Sequence, residues 1–188
     1  KLIVKTDDRA ASIKALSAAL QTTLIDGIET NLAYLATILG YRTFVEGKQI
    51  TQMLAGMPYQ PRTVDVIDGG IQTTVQDYPG RLGLWAVGIP PSGPMDAYAH
   101  RYANHLLGND VKAATLELTL QGATLSFNCA CTIALTGADL GASVSGPDGK
   151  RVLKNWQAHQ IKAGETLRCG NVSGAGVRAY LAFAGGLD

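Results

Sequence analysis

The sequence predicts an α+β fold in which a short helical piece precedes a region of antiparallel strands. Apolar residues recur at helical spacing within residues 6–40. From residue 64 onward, short apolar or alternating runs are separated by Gly, Pro, Asp and Asn, as in an antiparallel sandwich or barrel. The stretch GMPYQPR at 56–62 contains two prolines and separates the two patterns. We therefore expect a first domain at 1–57, a linker at 58–63 and a second domain at 64–188.

For the N-terminal piece, the sequence predicts a strand, a helix, a turn or short strand, and a second helix. Residues 1–5, KLIVK, are typical of a β-strand. Residues 6–23 begin with capping residue types and predict an amphipathic helix. After a turn or short strand at IDGIET, 25–30, the leucines of residues 30–40 predict a second helix, and Gly40 stands where a glycine would follow its last turn.

The second region contains one main helix among many strands. The stretch PMDAYAHRYANHLLGN predicts a helix that begins at Asp96 and ends at Gly108. Its expected buried stripe consists of Ala99, Tyr102, Ala103 and Leu106. Strands are expected within 115–127, 132–137, 142–153, 159–170 and 177–186. GPDGK and KAGET, within the third and fourth of these, look like hairpin tips.

Composition excludes several classes of partner. The chain has 16 basic and 15 acidic residues and no basic run, so it lacks the electrostatic footprint of a nucleic-acid-binding protein. No apolar run approaches the length of about 20 residues that spans a bilayer. Three cysteines at 129, 131 and 169 fit reduced thiols in a soluble, cytoplasmic protein. Because both ends read as strands, we expect a fragment of a longer polypeptide.

Standard catalytic signatures are missing from the sequence. It contains no Walker A, Rossmann, H-E-x-x-H or G-x-S-x-G motif, and the histidines at 100, 105 and 159 lack metal-ligand spacing. We therefore expect no metal site.

Three stretches combine a carboxylate with Gly or Pro at a strand end, where a barrel displays polar groups around a pocket mouth. They are TTVQDYPGR at 73–81 with Asp77, GIPPSGPMD at 88–96 with Asp96, and LTGAD at 135–139 with Asp139. Structural roles compete with chemical ones. Asp96 stands where a helix N-cap belongs, and the other two carboxylates fit turns. Ser92 has no base nearby in sequence, which argues against a nucleophilic role.

The stretches TTVQDYPGRLGLWAVGIPPSGPMD, LTGAD and AYLAFAGGLD together resemble one specific family. It comprises allophanate hydrolase subunit 2, the 5-oxoprolinase subunit and the carboxyltransferase domain of urea carboxylase. The resemblance covers about residues 64–188, the N-terminal half of that domain, and implies a β-barrel-like (cyclophilin-like) fold. KLIVKTDDRAASIKALSAALQTTLIDGIETNLAYLATIL is similar to the end of a biotin carboxylase domain of the ATP-grasp type.

The order of these two pieces resembles that of urea carboxylase. It implies a fragment of a biotin-dependent ligase of nitrogen metabolism that makes allophanate from urea, bicarbonate and ATP, or that acts on guanidine as some relatives do. The implied cofactors are biotin on a carrier domain, and ATP and Mg on biotin carboxylase residues, all outside this chain. The implied partners are the remaining domains of the polypeptide and carboxybiotin, and the isolated chain would be inactive.

Within this resemblance, GIPPSGPMD is expected to form a rigid loop that shapes the site of carboxyl transfer. The candidate catalytic residues are Asp96 and Asp139, and the candidate substrate-binding residues are Ser92, Gly93, Tyr180, Gly185 and Gly186. No residue is assigned to a cofactor or a metal. Two alternatives stay open. One is a 5-oxoprolinase-type hydrolase subunit without biotin, against which residues 1–40 argue, and the other is a non-catalytic interaction module.

Overall fold

The computed structural model describes residues 1–25, 28 and 30–187. It divides the chain into two compact units, Lys1–Pro61 and Arg62–Asp188. The turn or strand expected at IDGIET includes Asp26, Gly27 and Glu29, which lie outside the described residues.

The first unit is helical in its described part. Its α-helices are α1 (Arg9–Gln21), α2 (Leu32–Gly40) and α3 (Arg42–Val45), and a 3₁₀ helix spans Met53–Gly56. The carboxylate of Asp8 caps α1 by accepting the N–H of Ala11 at 2.8 Å. The helix predicted from the repeat of apolar residues after Thr6 is therefore confirmed.

Two local predictions for this unit are wrong. Residues 1–5 do not form a strand, because a strand needs a partner to pair with and the described residues of this unit include no other strand. Gly40 is the last residue of α2 and does not follow it, and the capping position is taken by Tyr41 in extended conformation. A change to extended backbone ends a helix as well as a left-handed glycine does.

The second unit consists of two antiparallel five-stranded sheets and one main helix, α4 (Ala97–Leu107). The first sheet has the strand order β1-β4-β9-β6-β7 and the second has the order β2-β3-β10-β5-β8. The strands are β1 (Val64–Asp68), β2 (Gln72–Gln76), β3 (Thr115–Thr119), β4 (Thr124–Phe127), β5 (Cys131–Gly137), β6 (Ser143–Gly146), β7 (Gly149–Val152), β8 (Gln157–Ile161), β9 (Thr166–Arg168) and β10 (Arg178–Phe183). The predicted α+β class with antiparallel strands is confirmed.

The main core lies between the two sheets. Leu125 and Leu167 of the first sheet and Ile133 and Leu181 of the second belong to one cluster of buried side chains. Because side chains alternate along a strand, the other face of each sheet is free to make different contacts. On the second sheet, α4 covers that outer face.

Helix α4 packs through small residues. Ala99 and Ala103 are fully buried against Tyr180 and Ala182 of β10. The predicted helix is confirmed, but its predicted buried stripe is partly wrong, since Tyr102 is 36% exposed while His100 and Asn104 are fully buried. The contact with the sheet buries His100, whose Nδ1 lies near the Thr115 hydroxyl of β3, and Asn104, which bonds to Ala113 and Asn109 beside the sheet. Apolarity alone could not show this burial.

The expected barrel differs from the observed architecture. The two sheets face each other as an open sandwich with edge strands, and they do not close into a barrel. GPDGK does form a hairpin tip between β6 and β7. KAGET does not, because β8 pairs with β5 in the second sheet while β9 pairs with β4 and β6 in the first. This segment therefore crosses from one sheet to the other.

The crossing is fixed by a buried carboxylate. Glu165 is 2% exposed, and it accepts two hydrogen bonds from the Arg151 guanidinium and one from the N–H of Lys162, at 2.7 Å. The bond from Arg151 is the main reason that the pKa of Glu165 falls from 4.5 to about 2.

No helix in the described part of the chain has the length and apolarity needed to cross a membrane.

We expect Glu165→Gln to destabilise the protein by roughly 1–3 kcal/mol at neutral pH, because an uncharged amide accepts these donors less well. A carboxyl whose pKa is depressed on folding contributes stability above its unfolded pKa, and that stability disappears as the pH falls toward the folded value. The wild type should therefore lose more stability than the variant between pH 4.5 and 2. Urea unfolding at several pH values measures this difference.

The matched control is Asp148→Asn, which removes the ion pair between Asp148 and Lys162. Both side chains of this pair are 71% exposed. Exposed pairs contribute about 0–1 kcal/mol, so this variant should unfold nearly as the wild type does. Equal effects of the two substitutions would contradict the assignment of Glu165 as the residue that fixes the crossing.

Candidate functional site

The loop GIPPSGPMD at 88–96 contacts a second loop, YPGR at 78–81. The N–H of Arg81 donates to the carbonyl of Pro91 at 2.7 Å, and the Arg81 guanidinium donates to the Ser92 hydroxyl oxygen at 2.9 Å. The two loops are separate in the sequence, and the structure brings them together. Asp77 lies just before the second loop. Among the described residues, the Arg81 side chain bonds to Ser92 in the loop at 88–96 and not to the Asp77 carboxylate.

Two glycines allow the loops to approach this closely. A Cβ built on Gly80 would lie 2.4 Å from the carbonyl oxygen of Pro91, and a Cβ on Gly93 would lie 2.8 Å from that of Pro79. Both glycines have positive φ, 94° and 86°. Only glycine adopts this conformation without strain and leaves room for the facing backbone.

The middle of the loop presents unused backbone donors. Ser92 has a positive φ of 55° and is followed by Gly93, which is also left-handed. The N–H groups of these two residues have no hydrogen-bond partner among the described residues. Backbone N–H groups that lack a protein partner can bind an anion, or a developing negative charge on oxygen, where they converge on it.

The loop ends at the start of α4. One carboxylate oxygen of Asp96, Oδ1, accepts the N–H groups of Tyr98 and Ala99, both at 3.0 Å. Asp96 is therefore the N-cap that its position predicted. Its side chain is exposed, and Oδ2 takes part in neither capping bond.

Behind this loop lies a buried hydrogen-bond network centred on Glu117 of β3. Oε2 of Glu117 accepts the N–H of Met95 at 2.8 Å and the hydroxyl of Tyr180 at 2.7 Å. The Tyr180 oxygen in turn accepts the N–H of Asp96 at 2.7 Å. Oε1 of Glu117 accepts Nε of Arg178 at 3.1 Å. Glu117 was not among the predicted site residues, and its only signal was a single charged residue within the strand TLELT.

Tyr180 belongs to this network and not to an open surface. It is fully buried on β10, directly opposite Glu117 in the strand register. Burial, reinforced by the hydrogen bond to Glu117, raises the pKa of Tyr180 above its ordinary value of 10. The phenol therefore stays protonated at neutral pH and donates to Glu117.

His100 is a second buried polar residue on α4. Its Nδ1 lies 2.9 Å from the hydroxyl of Thr115, and its Nε2 has no hydrogen-bond partner in the described part of the structure. Burial lowers the pKa of His100, which keeps the imidazole neutral. The neutral ring packs edge-on against Tyr180.

The other predicted residues lie apart from this network. Oδ1 of Asp139 accepts the N–H of Gly141 at 2.9 Å, and its backbone bridges to Ser173, so it forms the turn that was its alternative role. Gly185 and Gly186 follow β10 with φ of 90° each, and the N–H of Gly185 donates to the Asn109 side chain just after α4. None of the described hydrogen bonds links these three residues to the loop at 88–96.

A small void and an open cleft lie elsewhere among the described residues of this unit. A void of about 10 Å³ adjoins Asp139, and an open cleft of about 290 Å³ runs along the exposed side of α4. The cleft is lined by Tyr98, Arg101, Tyr102, His105 and Val111. Within the described residues, no group of three or more His, Cys, Asp or Glu side chains could hold a metal ion.

Two family models match this chain, one in each unit. The model "Carboxyltransferase domain, subdomain A and B" matches residues 87–188, which is more than half of the chain. The model "Biotin carboxylase C-terminal domain" matches residues 1–56. The chain belongs to the carboxyltransferase family, subdomain A and B, and its residues 1–56 are similar to the biotin carboxylase C-terminal domain.

Among individual proteins, the chain is similar over all its length to urea amidolyase of Saccharomyces cerevisiae, at 39% identity. The crystal structure of Kluyveromyces lactis urea carboxylase superposes on 98% of the chain with a TM-score of 0.87 and 38% identity. The chain spans only 10% and 16% of these two proteins. A 5-oxoprolinase subunit of Escherichia coli is 42% identical but matches 65% of the chain, which covers 38% of that protein.

We expect Gly80→Ala to separate the two loops, because the new Cβ would clash with the Pro91 carbonyl. Hydrogen exchange at the Arg81 amide, which donates to that carbonyl, should accelerate by roughly 10-fold or more as the bond opens. Gly83→Ala is the matched control. Gly83 also has a positive φ, 83°, but a Cβ there meets nothing within 4 Å. If both variants exchange alike, backbone strain and not the close approach of the loops explains the effect.

Proposed function

We propose that this chain is part of a biotin-dependent carboxylase that carboxylates urea, or guanidine, with ATP and bicarbonate. Its second unit contributes to the transfer of the carboxyl group. The observation that carries this proposal is the succession, in one chain, of a biotin carboxylase C-terminal segment and a carboxyltransferase segment. The alternative function, that of a 5-oxoprolinase-type subunit, has weaker support, because the match to such a subunit leaves about a third of the chain uncovered.

Within this proposal the chain divides at residues 1–57, 58–63 and 64–188 into the end of biotin carboxylase, a linker and the first half of the carboxyltransferase domain. The boundary along the chain between the two compact units, after Pro61, supports this division.

The loop at 88–96 supplies what carboxyl transfer to an amide-like nitrogen requires. The nitrogen must lose a proton, and negative charge on carboxyl oxygens must be stabilised. The N–H groups of Ser92 and Gly93, which have no partner among the described residues, would serve the second task together with the Arg81 guanidinium beside them. The exposed carboxylate of Asp96, with Oδ2 outside the capping bonds, is suited to accept the proton.

The remaining predicted residues have supporting roles in this proposal. Tyr180 anchors the loop from behind, while Gly185 and Gly186 form the turn at the end of β10 that Asn109 holds. Asp139 is bound into its own turn, so we assign it a smaller contribution than Asp96.

The proposed cofactors divide between this chain and the rest of the polypeptide. ATP and Mg would bind biotin carboxylase residues outside this chain. Biotin on a carrier domain would bring the activated carboxyl group to the loop, whose backbone donors and Arg81 suit an anionic group. We propose a cytoplasmic location, which the free thiols of Cys129, Cys131 and Cys169 support.

The test of the function uses the complete polypeptide purified with its biotin. We expect bicarbonate-dependent ATP hydrolysis that urea or guanidine stimulates, and inhibition by avidin. ATP hydrolysis stimulated by 5-oxoproline and insensitive to avidin would support the hydrolase alternative. If none of these compounds stimulates hydrolysis, the interaction module is the better account.

We expect Asp96→Asn to lower urea- or guanidine-dependent turnover by roughly 100-fold or more, because an amide cannot accept the proton. Stability should hardly change, since Asn caps a helix about as well as Asp does. The matched control is Asp8→Asn, which alters the N-cap of α1 in the first unit. If the turnover of Asp96→Asn stays within about 3-fold of the wild type, Asp96 only caps α4 and is not the proton acceptor.

A further inference from the structure

The backbone N–H groups of two consecutive loop residues are hydrogen-bonded to the same buried carboxylate, one directly and one through a hydroxyl group. The N–H of Met95 donates directly to Glu117, and the N–H of Asp96 reaches Glu117 through the Tyr180 hydroxyl. Both routes end at Oε2, within 2.8 Å and 2.7 Å. The position of two adjacent peptide groups is therefore determined by one side chain.

Glu117 is itself held in a rigid position. It lies in β3, between β2 and β10 of the second sheet, where Thr74 and Tyr180 are its partners in register. Its other oxygen accepts Nε of Arg178, whose side chain is only 22% exposed. A carboxylate with three donors and little contact with water has a narrow range of orientations.

We infer that Glu117 is a positioning residue for the loop at 88–96 and that it sets the location of the Ser92, Gly93 and Asp96 groups through the Met95 and Asp96 amides. This inference rests on the proposed function of the loop. Glu117 is 7% exposed and its oxygens are occupied, so it would not touch the substrate. It would act only by fixing the geometry of the groups that do.

The consequence for catalysis follows from how steeply reaction rates depend on geometry. A displacement of a reacting group by about 1 Å can cost on the order of 100-fold in rate. Without the carboxylate, the Met95 N–H would lose its acceptor on the second sheet, and the Tyr180 hydroxyl that binds the Asp96 N–H would lose the group that orients it. The helix cap made by Asp96 would remain, so α4 itself would still form.

The experiment compares Glu117→Gln with Glu165→Gln in the complete enzyme proposed above. Glu165 is the matched control, because it is also a buried carboxylate, 2% exposed against 7% for Glu117, and it also binds an arginine and a backbone N–H, but at the crossing between the sheets. The readouts are kcat and KM for urea or guanidine per folded molecule, and hydrogen exchange at the Met95 and Asp96 amides.

We expect Glu117→Gln to lower kcat by roughly 10- to 100-fold with KM changed by less than about 3-fold, and to accelerate exchange at both amides. Glu165→Gln should leave kcat per folded molecule as in the wild type, and any faster exchange that follows from its lower stability should appear throughout the second unit and not at these two amides in particular. Unchanged kcat in folded Glu117→Gln, or an equal loss in Glu165→Gln, would overturn the inference.

Tyr180→Phe provides a second test if Glu117→Gln fails to fold. It keeps the buried ring but removes the oxygen between Asp96 and Glu117. Exchange should accelerate at Asp96 more than at Met95, and kcat should fall by roughly 10-fold. Equal exchange at the two amides, or an unchanged kcat, would contradict the relay.

The two proposals fail in different ways. If the wild-type enzyme transfers no carboxyl group to urea or guanidine, the proposed function is wrong, and the exchange rates alone then judge whether Glu117 positions the loop. If the wild type is active while Glu117→Gln keeps its kcat, only the inference about Glu117 is wrong.

Discussion

The packing of α4 on the outer face of the second sheet is the contact on which the candidate site depends. It turns the polar side of the strands into an interior, where Thr115 contacts the His100 side chain and Tyr180 contacts helix alanines and the backbone N–H of Asp96. The hydroxyl of Thr136 donates to the carbonyl of Ala99, which fixes the helix along the strands. Since the loop at 88–96 leads directly into α4, its end is positioned by the same contact.

A buried carboxylate in such a layer is costly unless every oxygen is satisfied. Glu117 meets this condition with one guanidinium, one phenol and one backbone amide. Glu165 meets it in a similar way at the crossing between the sheets. In both places the chain uses a charged group with several donors to fix backbone that has no regular partner in a sheet.

Local signals in the sequence were sufficient for part of this arrangement. The helix α4 and its cap at Asp96 follow from short-range spacing and residue type, and both were predicted. The role of Glu117 was not predicted. Its position in a strand of alternating residues indicates that its side chain faces solvent, unless a helix covers that face of the sheet. KAGET has the composition of a hairpin turn, and only the pairing of β8 and β9 with different sheets shows that it is a crossing. These properties depend on contacts between residues distant in sequence.

The close approach of Gly80 and Gly93 also bears on how this site could change over time. A side chain at either glycine would require the facing backbone to move, so the two loops cannot diverge independently in shape. A loop taken from a protein with a different substrate would fit here only together with the loop it contacts. The unit of inheritance and of engineering at this site is therefore the pair of loops.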